Sequence, residues 1–103
     1  MKASEDATKE LRRRLGRWLK ERREDRGLTQ ADLAERLGLR YYSFVSQVEN
    51  GLGRIPQDLY APWADALDID GRVFAWTVLA HLEPGLYDML GQDAPPELPQ
   101  RLP

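Results

Sequence analysis

An all-α fold of five to six short helices is predicted, on three observations. Apolar residues recur three and four apart in successive segments, the spacing that lines one face of a helix. Gly27, Gly38 and Gly51 each follow such a segment, where a left-handed residue closes a helix. Thr29 and Asp70, both good capping residues, stand just ahead of two of the stripes. A chain of 103 residues supports one domain with a modest core.

The first helix is expected from about Glu5 to Arg26, with Ser4 as its cap and Gly27 as its end. Leu11, Leu15, Trp18 and Leu19 mark its buried face, and Arg12, Arg13, Arg14, Arg17, Lys20 and Arg22 crowd the outer one. A charge run of this kind is ordinarily solvated helix surface. Residues 1–10 are polar and are expected to fray.

The second helix opens at Thr29, whose hydroxyl suits an unpaired N–H of the first turn. Asp32, three residues on, is a shorter version of the capping-box Glu. Leu33, Ala34 and Leu37 form its stripe, and Gly38 ends it. A third stripe, Phe44, Val45 and Val48, stops at Gly51. Two such helices around a short Gly-containing turn have the form of a helix-turn-helix, although a plain αα-hairpin has the same spacing.

Leu59, Tyr60, Trp63, Ala64 and Leu67 stripe a fourth helix, with Pro62 unable to donate to the carbonyl of Asp58. Either that helix begins near Ala61, after a single turn from Pro56, or it kinks. Asp70 caps a fifth helix, about Gly71–Leu82, that is apolar on two sides. Phe74, Val78 and Leu82 form one stripe; Val73, Trp76, Leu79 and Ala80 form the other. A small domain has little to set against the second stripe, so a two-fold dimer is expected there. A short helix from Pro84 through Leu86, Tyr87, Met89 and Leu90 to Gly91 either folds over the same interface or exchanges there. The tail, 92–103, has four prolines in twelve residues and is expected to be disordered.

The string TQADLAERLGL followed by FVSQVENG resembles the Cro and phage-repressor-type helix-turn-helix family, often called XRE. The residues that carry the likeness are Thr29, Gln30, Leu33, Ala34, Leu37, Gly38, Val45, Ser46, Val48, Glu49 and Gly51, within residues 11–69. The turn Leu39–Tyr42 is one residue longer than the family's usual pattern. The resemblance implies a lambda-repressor-like DNA-binding domain over 11–69, and the apolar helices of residues 70–91 are the expected dimerising segment. It places Tyr41, Tyr42, Ser43, Ser46 and Gln47 against base edges in the major groove. Gln suits adenine, Ser bonds several edges, and a Tyr ring packs on a thymine methyl. Either both tyrosines read DNA or one of them belongs to the core.

The same resemblance puts Gln30 at a phosphate and Arg23 opposite Glu49 in an ion pair between the first and third helices. Arg40, Asn50 and Arg54 flank the reading surface as further phosphate contacts. Val73, Trp76, Leu79, Ala80, Leu86, Tyr87 and Leu90 are the expected dimer contacts. A dimeric repressor or autoregulator on an inverted repeat follows, in the cytosol of a bacterium or within a phage's host. An antitoxin or adaptor, gripping another protein through the aromatic C-terminal half, is the competing reading.

Charge is divided along the chain. Residues 1–54 hold thirteen Lys/Arg against nine Asp/Glu, a net +4, whereas 55–103 hold two against eight, a net −6. The overall −2 therefore hides a basic half, and screening over about 8 Å lets that half act alone. There is no cysteine, hence no disulfide or thiolate metal site. No apolar run reaches the roughly 18–20 residues of a membrane span, and the charged start lacks a signal-peptide core. His81, the one histidine, lies on an apolar helix with no second ligand at a metal spacing. No metal, cofactor or catalytic activity is expected.

Overall fold

Each predicted stripe becomes a helix in the computed structural model, which describes residues 2–90. The order is α1 (Lys2–Asp25), α2 (Gln30–Arg36), α3 (Ser43–Glu49), a single 3₁₀ turn (Gln57–Leu59), α4 (Tyr60–Ala66), α5 (Gly71–Leu82) and α6 (Pro84–Leu90). The described residues hold helices and no strand. Helix α1 starts at Lys2, so Ser4 lies inside it instead of capping it. The expected tail, 92–103, lies outside the described residues.

Local chemistry sets the helix ends. Thr29 and Asp32 make the reciprocal box: Asp32 N–H donates to Thr29 Oγ1 at 3.0 Å, and Thr29 N–H donates to Asp32 Oδ2 at 2.9 Å. Asp70 Oδ1 accepts from the N–H groups of Arg72 and Val73, which starts α5. Gly27, Gly38 and Gly51 take φ of +70°, +71° and +78° beyond the ends of α1, α2 and α3. There the chain reverses, with the next residue's N–H returned to the last turn, as in Leu39 N to Ala34 O at 2.9 Å. Asp68 does the same after α4 at φ +56°, a conformation that Asp tolerates better than most non-glycine residues. Pro62 falls in the first turn of α4, after the 3₁₀ turn, where its missing N–H leaves no bond broken.

The core gathers Leu15 and Leu19 of α1, Leu33 and Ala34 of α2, Val45 and Val48 of α3, Trp63 and Leu67 of α4, and Phe74 and Val78 of α5. Trp63 is fully buried, with Phe44 edge-on to it at 6.5 Å between ring centres. Trp18 and Tyr60 contact Phe74 at 6.5 and 5.9 Å. His81 is buried, and its Nδ1 lies 2.7 Å from the Thr77 carbonyl, which can only accept, so Nδ1 carries the proton.

The second stripe of α5 is partly covered by the chain itself. Helix α6 folds back over it: Trp76 meets Tyr87 edge-to-face at 6.0 Å, and Ala80 is buried within the chain itself. Val73, Trp76, Leu79 and Tyr87 are half-buried. The exposed apolar surface has moved outward, to Leu86, Met89 and Leu90 of α6. Among the described residues no helix is long and apolar enough to cross a membrane.

The capping box supplies a pH test. Hydrogen bonds from the Thr29 backbone N–H and side chain hold the Asp32 carboxyl below its ordinary range. A lowered folded pKa means stability that is present above the unfolded value, about 3.9, and is lost as pH falls through the folded value. The melting-temperature gap between wild type and Asp32→Asn is therefore expected to be widest near neutrality and to close on acidification. Thr29→Ala is expected to cost about 1 kcal/mol at neutral pH. Melts between pH 7 and 3 check both, and a gap that stays constant across that range contradicts the linkage.

Candidate nucleic-acid interface

The turn between α2 and α3 decides what the first residues of α3 do. Leu39 packs on the core, after which Arg40, Tyr41 and Tyr42 run on the surface. Tyr42 occupies the N-cap position with no side-chain cap bond. Both tyrosines are outside, Tyr41 at 68% and Tyr42 at 57% exposure, so neither belongs to the core.

Helix α3 is two-sided. Val45 and Val48 are buried and Phe44 is half-buried. Ser43 and Gln47 are exposed, Ser46 is half-buried, and Asn50 at the end of the helix is exposed. Positions 43, 46, 47 and 50 share one face at helical spacing. Asn50 Nδ2 donates to Ser46 Oγ at 3.4 Å, a weak link along that face.

Beneath this face lies a buried ion pair. Arg23 Nε donates to Glu49 Oε2 at 2.7 Å and Arg23 Nη2 to Glu49 Oε1 at 2.9 Å, with Arg23 6% and Glu49 4% exposed. Its Nη1 donates to the Leu28 carbonyl at 2.7 Å. The hydrogen bond to Glu49 raises the guanidinium pKa further above its ordinary value, so Arg23 stays charged. One group thus ties together α1, the entry to α2 and the end of α3.

Two residues expected at phosphates have partners within the protein. Gln30 Nε2 donates to Glu49 Oε1 at 3.1 Å, which makes Gln30 the third member of the buried network. Arg54 pairs with the Glu83 carboxylate, and its Nη1 lies 3.4 Å from the Leu82 carbonyl at the end of α5. In this structure its charge is therefore directed to the C-terminal helices. Arg40 is exposed beside the start of α3.

One residue essential to this geometry was missed. Gly16, buried in the middle of α1, faces the last turn of α3: a Cβ there would strike the Glu49 carbonyl oxygen and come within 2.8 Å of that of Val48. A lone glycine inside a Leu/Arg-rich helical pattern was the available signal. Gly51 meets α1 in the same place, where a Cβ would stand 3.0 Å from the backbone of Arg13. The base of α3 is thus seated directly on the α1 backbone.

A family model described as a helix-turn-helix domain matches residues 14–76, more than half of the chain. No curated protein and no solved structure matches it.

Proposed function

We propose, from the premise that the chain belongs to the helix-turn-helix domain family, that it is a transcriptional regulator of the Cro and phage-repressor type. DNA is the partner such a domain implies. The observation that carries the reading is the outer face of α3. Tyr41, Tyr42, Ser43 and Gln47 stand exposed together, with no apolar side chain among them that the core could claim. In this motif the start of the second helix enters the major groove. Tyr41 and Tyr42 supply rings for thymine methyls, and Gln47 supplies the two-ended amide that matches adenine. Ser46, half-buried, serves the edge of the same contact, and Arg40 and Asn50 hold phosphates on either side.

The protein acts as a dimeric repressor or autoregulator, its two copies reading an inverted repeat with half-sites about one turn of DNA apart. The outer face of α6, where Leu86 and Leu90 are 46% and 41% exposed, is the dimer contact, with Val73, Trp76, Leu79 and Tyr87 behind it. Exposed Met89 at 83% also favours a second reading, an antitoxin or adaptor that binds another protein there. Sedimentation separates the two, since the regulator requires a homodimer and the adaptor a monomer.

Selection of duplexes from a random pool tests the main reading. Enriched duplexes are expected to carry an inverted repeat. Gln47→Ala is expected to lose about 1–3 kcal/mol on the selected duplex and to relax one position per half-site, leaving random duplex unaffected. Equal losses on both duplexes, or a pool that shows no enrichment, would remove the reading.

A further inference from the structure

The reading face brings no cation of its own. The α3 segment SFVSQVE contains neither Lys nor Arg. Yet duplex affinity at physiological salt comes largely from neutralising phosphates. The basic groups that line the end of α3 belong to α1. Arg13 and Arg17 share a shallow cleft with Glu49 and Asn50, and their side chains are 55% and 54% exposed. Asn50 is the last residue of the 43, 46, 47, 50 face, so the cleft continues that face around the foot of the helix.

We propose that Arg13 and Arg17 form a clamp for the DNA backbone at the C-terminal end of α3, opposite Arg40 at its start. The inference rests on the proposed reading of α3 and deepens it. With α3 lying across the groove, its length of about 10 Å is close to the roughly 12 Å groove width, so cations at its two ends fall near the two bordering backbones. The clamp is also rigidly placed, because Gly16 and Gly51 let the α1 backbone lie directly on the last turn of α3.

Both arginines have only long, shared contacts to give up for a phosphate. Arg13 Nη1 and Arg17 Nη2 lie 3.5 and 3.6 Å from Glu10, a carboxylate already shared with Arg14 at 3.3 Å. Exposed pairs this long are weak. A phosphate oxygen accepts shorter, two-pronged bonds from guanidinium.

The test uses the full chain, a duplex chosen by selection and an unrelated duplex of equal length, titrated between 50 and 200 mM NaCl. Arg13→Gln/Arg17→Gln is expected to weaken both duplexes by the same factor and to flatten the salt slope by about 1 per arginine. The wild-type advantage then shrinks about threefold per arginine across that salt range. Arg13→Lys/Arg17→Lys restores the slope because it restores the charge, and melting of both variants stays close to wild type. Wild-type affinity and slope in the Gln double variant overturn the clamp while leaving base reading by α3 intact. A loss confined to the selected duplex also overturns it, as does a slope that lysine fails to restore. Absence of any saturable wild-type complex removes the clamp and the proposed function together.

Discussion

Glu49→Ala is expected to unfold the domain by about 3–5 kcal/mol, far more than a surface change on a recognition helix. Arg23, 6% exposed, would be left charged and buried with one carbonyl partner, and Gln30 would lose its acceptor. A domain of this size shifts its melting point by about 4–8 °C per kcal/mol, so a drop of about 12 °C or more is expected. The origin of that loss is checkable. If stranding Arg23 is the cause, then Arg23→Met with Glu49→Leu, which removes both charges and keeps the volume, should recover most of it. Melting of Glu49→Ala at the wild-type midpoint would falsify the assignment. Loss of DNA binding in this variant would follow global unfolding and carry no information about readout.

The sequence was most legible where periodicity and caps agree. The stripes Leu33–Leu37 and Phe44–Val48, the Thr29 cap and Gly38 all act through neighbours within one turn, so spacing alone locates them. Asp70 and the 3₁₀ turn ahead of Pro62 were readable for the same reason. Among long polar side chains, the Arg23–Glu49 pair was legible through the family resemblance, but the partners of Gln30 and Arg54 were not. Gln30 reaches nineteen residues along the chain to Glu49, and Arg54 twenty-nine to Glu83. No periodic rule fixes such partners, and both residues had equally good solvent-facing roles.

Of the two roles open to the helix after Pro84, folding over the second stripe of α5 is the one the structure shows. A seven-residue helix begins only two residues after Leu82, and the Trp76–Tyr87 contact closes that hairpin. The chain therefore buries much of the surface that a partner was expected to take. Exposure of both tyrosines follows from the turn before α3: Leu39 satisfies the core, and the three residues after it are released to solvent before the helix starts.

Gly16→Ala is expected to destabilise the protein although alanine is the better helix former. Propensity alone predicts a gain of about 1 kcal/mol in the interior of α1. Against it stands steric overlap with Glu49 and Val48, whose carbonyls are backbone atoms fixed by α3 and by the Gly51 turn. Side chains can rotate away from an added methyl, but these carbonyls move only if the whole helix moves. Overpacking at about 1–3 kcal/mol or more outweighs the propensity term. The same shift would pull Glu49 away from Arg23, so the variant should also weaken the coupling between those residues in a double-mutant cycle. Arg17→Ala, one residue along and half exposed, separates the two effects, since it changes α1 without touching α3's backbone. A melting point for Gly16→Ala at or above wild type would mean that α1 and α3 are not in contact at this position.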